Sequence, residues 1–274
     1  MKYDISILIP GIRTVNWLDV LETLSRSCIR HTYEVIFVGP FDPPASISRE
    51  KIKFIKTYRC PSAALQIGAQ ACEGGLICHS VDDAKFVPEA IDKTIDLYKR
   101  MCGYRDVVNL RYTEDVNYSG KTLPLEFWTV HYHKILRLSG IPKNYKISLQ
   151  FLMNTAYFLE LGGIECSYEY LNFNILDLMF RIQHDGGTLH NSPNDVVNCN
   201  YYKGRIADHA PIDEAYVHDL ALFRKKYSSR NALKENPIKI DINNWKYHPE
   251  IWNRRFKEKL FTKYEEMMSS VHGS

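Results

Sequence analysis

Apolar positions in the first hundred residues come as short continuous runs separated by longer periodic stretches. Ile5-Ser6-Ile7-Leu8-Ile9 is too short for a helix and is closed by Pro10-Gly11, which reads as a buried strand. Glu34-Val35-Ile36-Phe37-Val38, stopped by Gly39-Pro40, Ile52-Lys53-Phe54-Ile55 and Leu76-Ile77-Cys78-His79 read the same way. Between them Trp17, Leu18, Leu21 and Leu24 recur at helical spacing, as do Ala90, Ile91, Ile95 and Tyr98. Ala63 to Ala71 predicts a further helix, closed by Gly74-Gly75. Strands alternating with helices at this pitch predict an α/β fold, with a mostly parallel sheet flanked by helices. Ligands of such sheets bind beyond the carboxyl ends of the strands.

After Val107-Val108-Asn109-Leu110 the pattern loosens, and residues 112–150 predict irregular structure. Helical patterns return over Phe151–Leu161 and Tyr168–His184, each followed by a Gly-Gly pair suited to a helix end. Two amphipathic stretches, 212–227 and 249–268, predict a helical C-terminal extension. No repeat or low-complexity tract interrupts the chain.

Composition adds limits. The 274 residues, 45% hydrophobic and 24% charged, are enough for one large domain with an appendage. A net charge of +3 gives no broad basic footprint, so nucleic acid is not an expected partner. No segment approaches the ~20 apolar residues of a membrane span. The seven cysteines form no CxxC pair and predict buried thiols in a reducing, cytoplasmic setting, not a disulfide frame or a zinc knuckle.

The densest chemistry lies in Cys78-His79-Ser80-Val81-Asp82-Asp83-Ala84-Lys85-Phe86-Val87-Pro88. Two carboxylates follow a buried strand and precede a Pro-initiated helix, a place where they face the ligand crevice. Hard oxygen donors suit Mg²⁺ or Mn²⁺ bridging to phosphate oxygens. Read alone, the same pair is an acidic turn at a helix N-terminus.

The order of pieces resembles the GT-A glycosyltransferases, in particular the large family two. Ile7-Leu8-Ile9-Pro10, Glu34 to Val38, Pro61 to Ala71, and the run from Ala71 to Asp83 with Pro88 and Ala90 after it carry the likeness. It covers residues 4–100 well and 150–190 moderately. It implies a GT-A domain over 1–211, with a nucleotide-sugar-binding half (1–103), an acceptor-binding half (104–211), and the helical extension 212–274 packed on it.

The resemblance also implies roles. Pro10, Gly11 and Arg13 would border the donor nucleotide, with Arg59, Gln66 and Asp82 further candidates in that cleft. Aligned on Pro88, Asp83 falls on the metal-binding Asp, Asp82 on the middle position, and Val81 where the first Asp of Asp-x-Asp would stand. An acid after the second strand that would bind the base is replaced by Gly39-Pro40-Phe41-Asp42. Leu161-Gly162-Gly163-Ile164-Glu165 and Asp177 to Arg181 match the acceptor-side motifs, but the usual Glu-Asp pair is Asn174-Ile175. Asp177, Glu165 and Glu169 are therefore the candidate bases for the acceptor hydroxyl. For Asp177 an i,i+4 salt bridge to Arg181 is the equal alternative. His209, read as lying in a turn, is the candidate third metal ligand, ahead of His131, His133 and His190. Trp128 and Tyr132 are candidates for stacking on a sugar.

The function implied is metal-dependent, inverting transfer of a hexose from a UDP or GDP sugar to a carbohydrate or glycolipid acceptor, in polysaccharide or glycoconjugate synthesis. The rivals are a degenerate nucleotide-sugar-binding protein and a sugar nucleotidyltransferase. For the latter, Pro10-Gly11-Ile12-Arg13 is a poor phosphate loop.

Overall fold

The computed structural model describes residues 2–48, 50, 52–114, 134, 136, 138–199 and 205–247. The side chains of Glu114 and of 205–214 fall outside that description, as do Trp128, His131, Tyr132, His133 and the stretch 249–268.

Eight strands form one sheet in the order β3-β2-β1-β4-β7-β6-β8-β5. They are β1 (Tyr3–Pro10), β2 (Tyr33–Gly39), β3 (Lys53–Lys56), β4 (Gly74–His79), β5 (Ala84–Phe86), β6 (Val107–Glu114), β7 (Phe151–Asn154) and β8 (Leu189–Cys199). The helices are α1 (Trp17–Ser27), α2 (Pro61–Ala69), α3 (Ala90–Met101), α4 (Thr155–Glu160), α5 (Leu171–His184), α6 (Arg205–Tyr227) and α7 (Ala232–Glu235). The first four strands of the order are parallel. β7 runs antiparallel to both β4 and β6, and β5 antiparallel to β8, while β6 and β8 are parallel. The sheet is thus mixed: its first half is wholly parallel, as expected, and its second half combines the parallel β6–β8 pair with antiparallel pairings.

β1 is apolar on both faces because both are covered. Ile5, Ile7 and Ile9 join a core with Trp17, Val20 and Leu24 of α1 and Ile91 and Ile95 of α3. Leu8, with Ile36, Val38 and Ile77, faces α2, α4 and α5 on the other side. Pro61 at the first turn of α2 matches the geometry a helix start requires. Gly68 lets α2 lie against the sheet, since a methyl there would run into Leu8 and Val38. A third cluster joins α5 to α6 through Phe173, Phe180, Phe223 and Tyr227.

Four local expectations change. Phe151–Leu161 is a strand followed by a short helix: Asn154 caps α4 by accepting the Tyr157 N–H at 3.1 Å. Asp82-Asp83 is followed by β5 before α3 begins at Ala90, so no helix starts at Pro88. β6 continues to Glu114, into the stretch expected to be irregular, whereas 138–150 contains turns and no strand or helix. Residues 208–210 belong to α6, which starts at Arg205, so His209 stands in a helix and the turn expected around it is not there. The α6 helix also crosses the 211/212 boundary drawn from the sequence. Among the described residues no helix is long and apolar enough to cross a membrane.

Candidate functional site

The parallel half of the sheet brings the carboxyl ends of β1, β2 and β4 together. The ladder continues past the strands: Gly11 N–H donates to the Val38 carbonyl at 3.0 Å, and Ser80 N–H to the Leu8 carbonyl at 3.1 Å. Gly39 is required for this convergence, because a methyl on it would overlap the Gly11 carbonyl oxygen. At Gly11 a methyl would lie 2.9 Å from Asp82 Cβ and 3.2 Å from Trp17 Nε1. Two loops and an acidic turn therefore meet at van der Waals distance.

Asp82 organises that meeting. Its Oδ2 accepts the Ile12 and Arg13 backbone N–H groups, both at 2.7 Å, and its Oδ1 accepts Arg13 Nη1 at 2.6 Å. The same Nη1 lies 3.3 Å from Asp83 Oδ2. Asp82 is the more buried of the pair, at 6% side-chain exposure against 19% for Asp83. Asp82 thus holds the β1 loop in place, and Asp83 presents the more accessible carboxylate beside it. Of the predicted donor-side residues, Pro10, Gly11, Arg13, Asp82 and Asp83 come together.

Behind the turn is a buried polar set that the sequence reading did not single out. Ser80 Oγ donates to Gln150 Oε1 at 3.0 Å, and Ser148 Oγ to Asn109 Oδ1 at 2.7 Å. His79 stacks on Phe151, and its Nδ1 must donate to the Leu149 carbonyl 3.1 Å away, since a carbonyl only accepts. Nε2 is then the lone-pair nitrogen, buried and without a hydrogen-bond partner among the described residues. Burial pushes the His79 pKa down to about 4, so the ring is neutral at physiological pH. The signal for this set was a histidine at the end of a buried strand, where a charged ring is disfavoured.

Arg59 and Gln66 do not face a donor cleft. Arg59 Nη1 donates to the Trp245 carbonyl at 3.1 Å and its guanidinium lies over the Trp245 ring. Gln66 is fully buried. Its amide donates to the Gly162 and Ile242 carbonyls, and its Oε1 accepts the Ile164 N–H at 2.9 Å. Both side chains fasten the C-terminal segment onto α2 and the Gly162-Gly163 turn. Their polarity serves burial of backbone groups.

Asp177 also has a different use. It is fully buried, accepting Arg181 Nε at 2.7 Å, Lys226 Nζ at 2.6 Å and Tyr227 OH at 2.5 Å. Burial alone would raise its pKa, but the Lys226 and Arg181 charges outweigh it and hold the carboxyl well below the usual range. A carboxylate so engaged is a poor proton acceptor, and the i,i+4 reading describes it. Glu165 lies 3.6 Å from the same Lys226 and keeps 19% of its side chain exposed. Glu169 is buried, its N–H donating to Asp219 Oδ2 at 2.7 Å. Its charge reaches the Cys60 thiol, which burial first and Glu169 after it help push up to about 12. Asn174, where the resemblance expects Glu, donates to Ser62 Oγ and to the Tyr168 carbonyl.

No protein-family model matches the sequence, and no curated protein matches it. Solved structures do match by fold. S. aureus TarS residues 1–349 in complex with UDP superpose at a TM-score of 0.51 and 11% identity, over 83% of this chain and 71% of that one. The same TarS fragment with UDP-GlcNAc matches at 0.50 and 10% identity, over 94% and 82%. A longer TarS chain is spanned over only 43% of its length, at 0.49. The fold is GT-A-like. At this identity the likeness is one of fold, and the site rests on the geometry described above.

Proposed function

We propose that this chain is a glycosyltransferase that takes a sugar from a UDP or GDP sugar and passes it to a hydroxyl of a carbohydrate or glycolipid acceptor. The single observation that carries the reading is the Asp82-Asp83 turn at the carboxyl end of β4, bonded to the β1 loop through Ile12 and Arg13. The structures of like fold that hold UDP and UDP-GlcNAc support a nucleotide-sugar donor.

A divalent cation fits the pair. Its donors are hard carboxylate oxygens, and the Arg13 guanidinium between them marks the place as one that calls for positive charge. Asp83 is the proposed ligand, with Asp82 positioning the loop. Mn²⁺ or Mg²⁺ bound there would neutralise the charge of a departing diphosphate. Arg13 is suited to the phosphate oxygens from the other side. With Asp177 locked in its ion pairs, Glu165, the most exposed of the three candidate acids, is proposed as the base and Glu169 as its alternate. Inversion is proposed with it on the family resemblance alone, in which the base acts on the face opposite the leaving group.

The test is release of nucleoside diphosphate from UDP and GDP sugars, by transfer to water when no acceptor is supplied, with and without Mn²⁺. Metal-stimulated release that Glu165→Gln slows while nucleotide still binds supports the full reading. The locked Asp177 also favours a second reading, a protein that binds the nucleotide sugar without turnover. Binding with no release from any donor would select it.

A further inference from the structure

A second group of ligand-type side chains lies at the other end of the sheet. Cys102 ends α3, Asp106 directly precedes β6, and His190 stands in β8 opposite Val108. Sγ, a carboxylate oxygen and a ring nitrogen of the three all lie within 4.8 Å of one another. β7 is antiparallel to both β4 and β6, so β4 and β6 run the same way. The start of β6 is therefore at the end of the sheet opposite Asp82-Asp83, which follow the end of β4. The cluster has no part in the donor site.

The arrangement is held rather than incidental. Asp106 Oδ1 accepts the Thr188 N–H at 2.9 Å and its Oδ2 accepts the Gly103 N–H at 2.8 Å, which fixes the carboxylate plane. Each oxygen keeps a further lone pair. The Cys102 backbone is tied to the Tyr98 carbonyl at 3.0 Å. His190 Nε2 is buried and has no hydrogen-bond partner among the described residues; Asp106 Oδ2, at 3.5 Å, is too far to serve. A buried ring nitrogen in that state calls for an explanation. One sulfur, one imidazole and one carboxylate are a borderline-soft donor set, which suits Zn²⁺ and its spectroscopic stand-in Co²⁺ and does not suit Mg²⁺. Tetrahedral zinc places its ligand atoms about 3.3–3.8 Å apart by the usual bond lengths; His190 and Asp106, at 3.5 Å, already match, and Cys102 Sγ needs to close by about 1 Å at most.

We propose that Cys102, Asp106 and His190 form a zinc-type metal site that ties the α3–β6 corner to β8. Without metal the thiol is pushed up to about 11, by burial first and Asp106 second, so it stays protonated and is no nucleophile. Binding displaces that proton and forms the Zn–S bond, which makes affinity rise with pH.

The experiment is a Co²⁺ titration of the full chain under reducing conditions, read by absorption, followed by Zn²⁺ displacement. The expected result is a saturable thiolate-to-cobalt charge-transfer band that Zn²⁺ abolishes. Cys102→Ser should remove the band, and His190→Gln should weaken Co²⁺ binding about tenfold or more. Asp83→Ala should leave the band intact, since a carboxylate site gives no such transition. Thermal melting of each variant shows whether it is folded. No band in the folded wild type would overturn the site, as would a band undiminished in Cys102→Ser, which would assign it to another cysteine.

Discussion

Two buried side chains tie this structure to simple measurements. Asp177 neutralises both Arg181 and Lys226 from within the core. Removing its charge leaves Arg181 buried without a counter-charge and Lys226 with only Glu165 at 3.6 Å, and breaking such a buried pair costs about 3–5 kcal/mol. Asp177→Asn is therefore expected to lower the unfolding free energy by about that much in urea titration. Full stability with lost turnover would return Asp177 to the role of base. His79 gives the pH dependence. Its folded-state pKa, about 4, lies below the ordinary 6.5, so the unfolded chain takes up the proton first as pH falls. The stability due to a neutral His79 is fully present above about 6.5 and is lost on descending toward about 4, a change on the order of 3 kcal/mol by linkage. His79→Gln, which can still donate to the Leu149 carbonyl, should flatten the stability profile over that window. An unchanged profile would mean the ring is not buried neutral.

At the level of elements, what the sequence made legible follows from how local each signal is. β1, β2 and β4 are continuous apolar runs buried on both faces, and the acidic turn could be read from the strand before it. β8 was not readable: its contacts with β6 come from far along the chain, and Pro193 and a run of Asn and Asp hide its apolar Leu189, Val196 and Val197. Phe151–Leu161 was misread because Phe151-Leu152-Met153 suits strand or helix equally. The Asn154 cap was the available clue. The site was half legible. Asp82, Asp83 and Arg13 were singled out by position, and the structure brings the three together. The two backbone N–H groups bound by Asp82 are a tertiary fact that no spacing encodes. The glycines where β1 and β2 end give a sharp test of that packing. Gly39→Ala puts a methyl into the Gly11 carbonyl and should cost about 1–3 kcal/mol or more while weakening nucleotide binding. An alanine variant with wild-type stability and binding would show that the two loops do not meet as described.

Across the whole molecule, several polar residues singled out as site candidates, Gln66, Arg59 and Asp177, join its parts. Gln66 and Arg59 clasp the segment around Ile242 and Trp245 against α2, and Asp177 fastens α5 to α6. Asn244 completes the clasp by accepting the Cys166 N–H at 2.7 Å and donating to the Ile164 carbonyl at 3.0 Å. The Gly162-Gly163 turn and the candidate acids after it are thereby held against the parallel half of the sheet. At the carboxyl end of β4 the Asp83 carboxylate, 19% exposed, stands 3.3 Å from the Arg13 guanidinium. The central claim is that this place binds a nucleoside diphosphate through a divalent cation. Calorimetric titration with UDP and GDP, with and without Mn²⁺, addresses it directly in the wild type and in Asp83→Ala. One of these nucleotides is expected to bind, more tightly with Mn²⁺, and to lose that dependence in the variant. No nucleotide binding under any condition, or metal-dependent binding unaltered in Asp83→Ala, would contradict it.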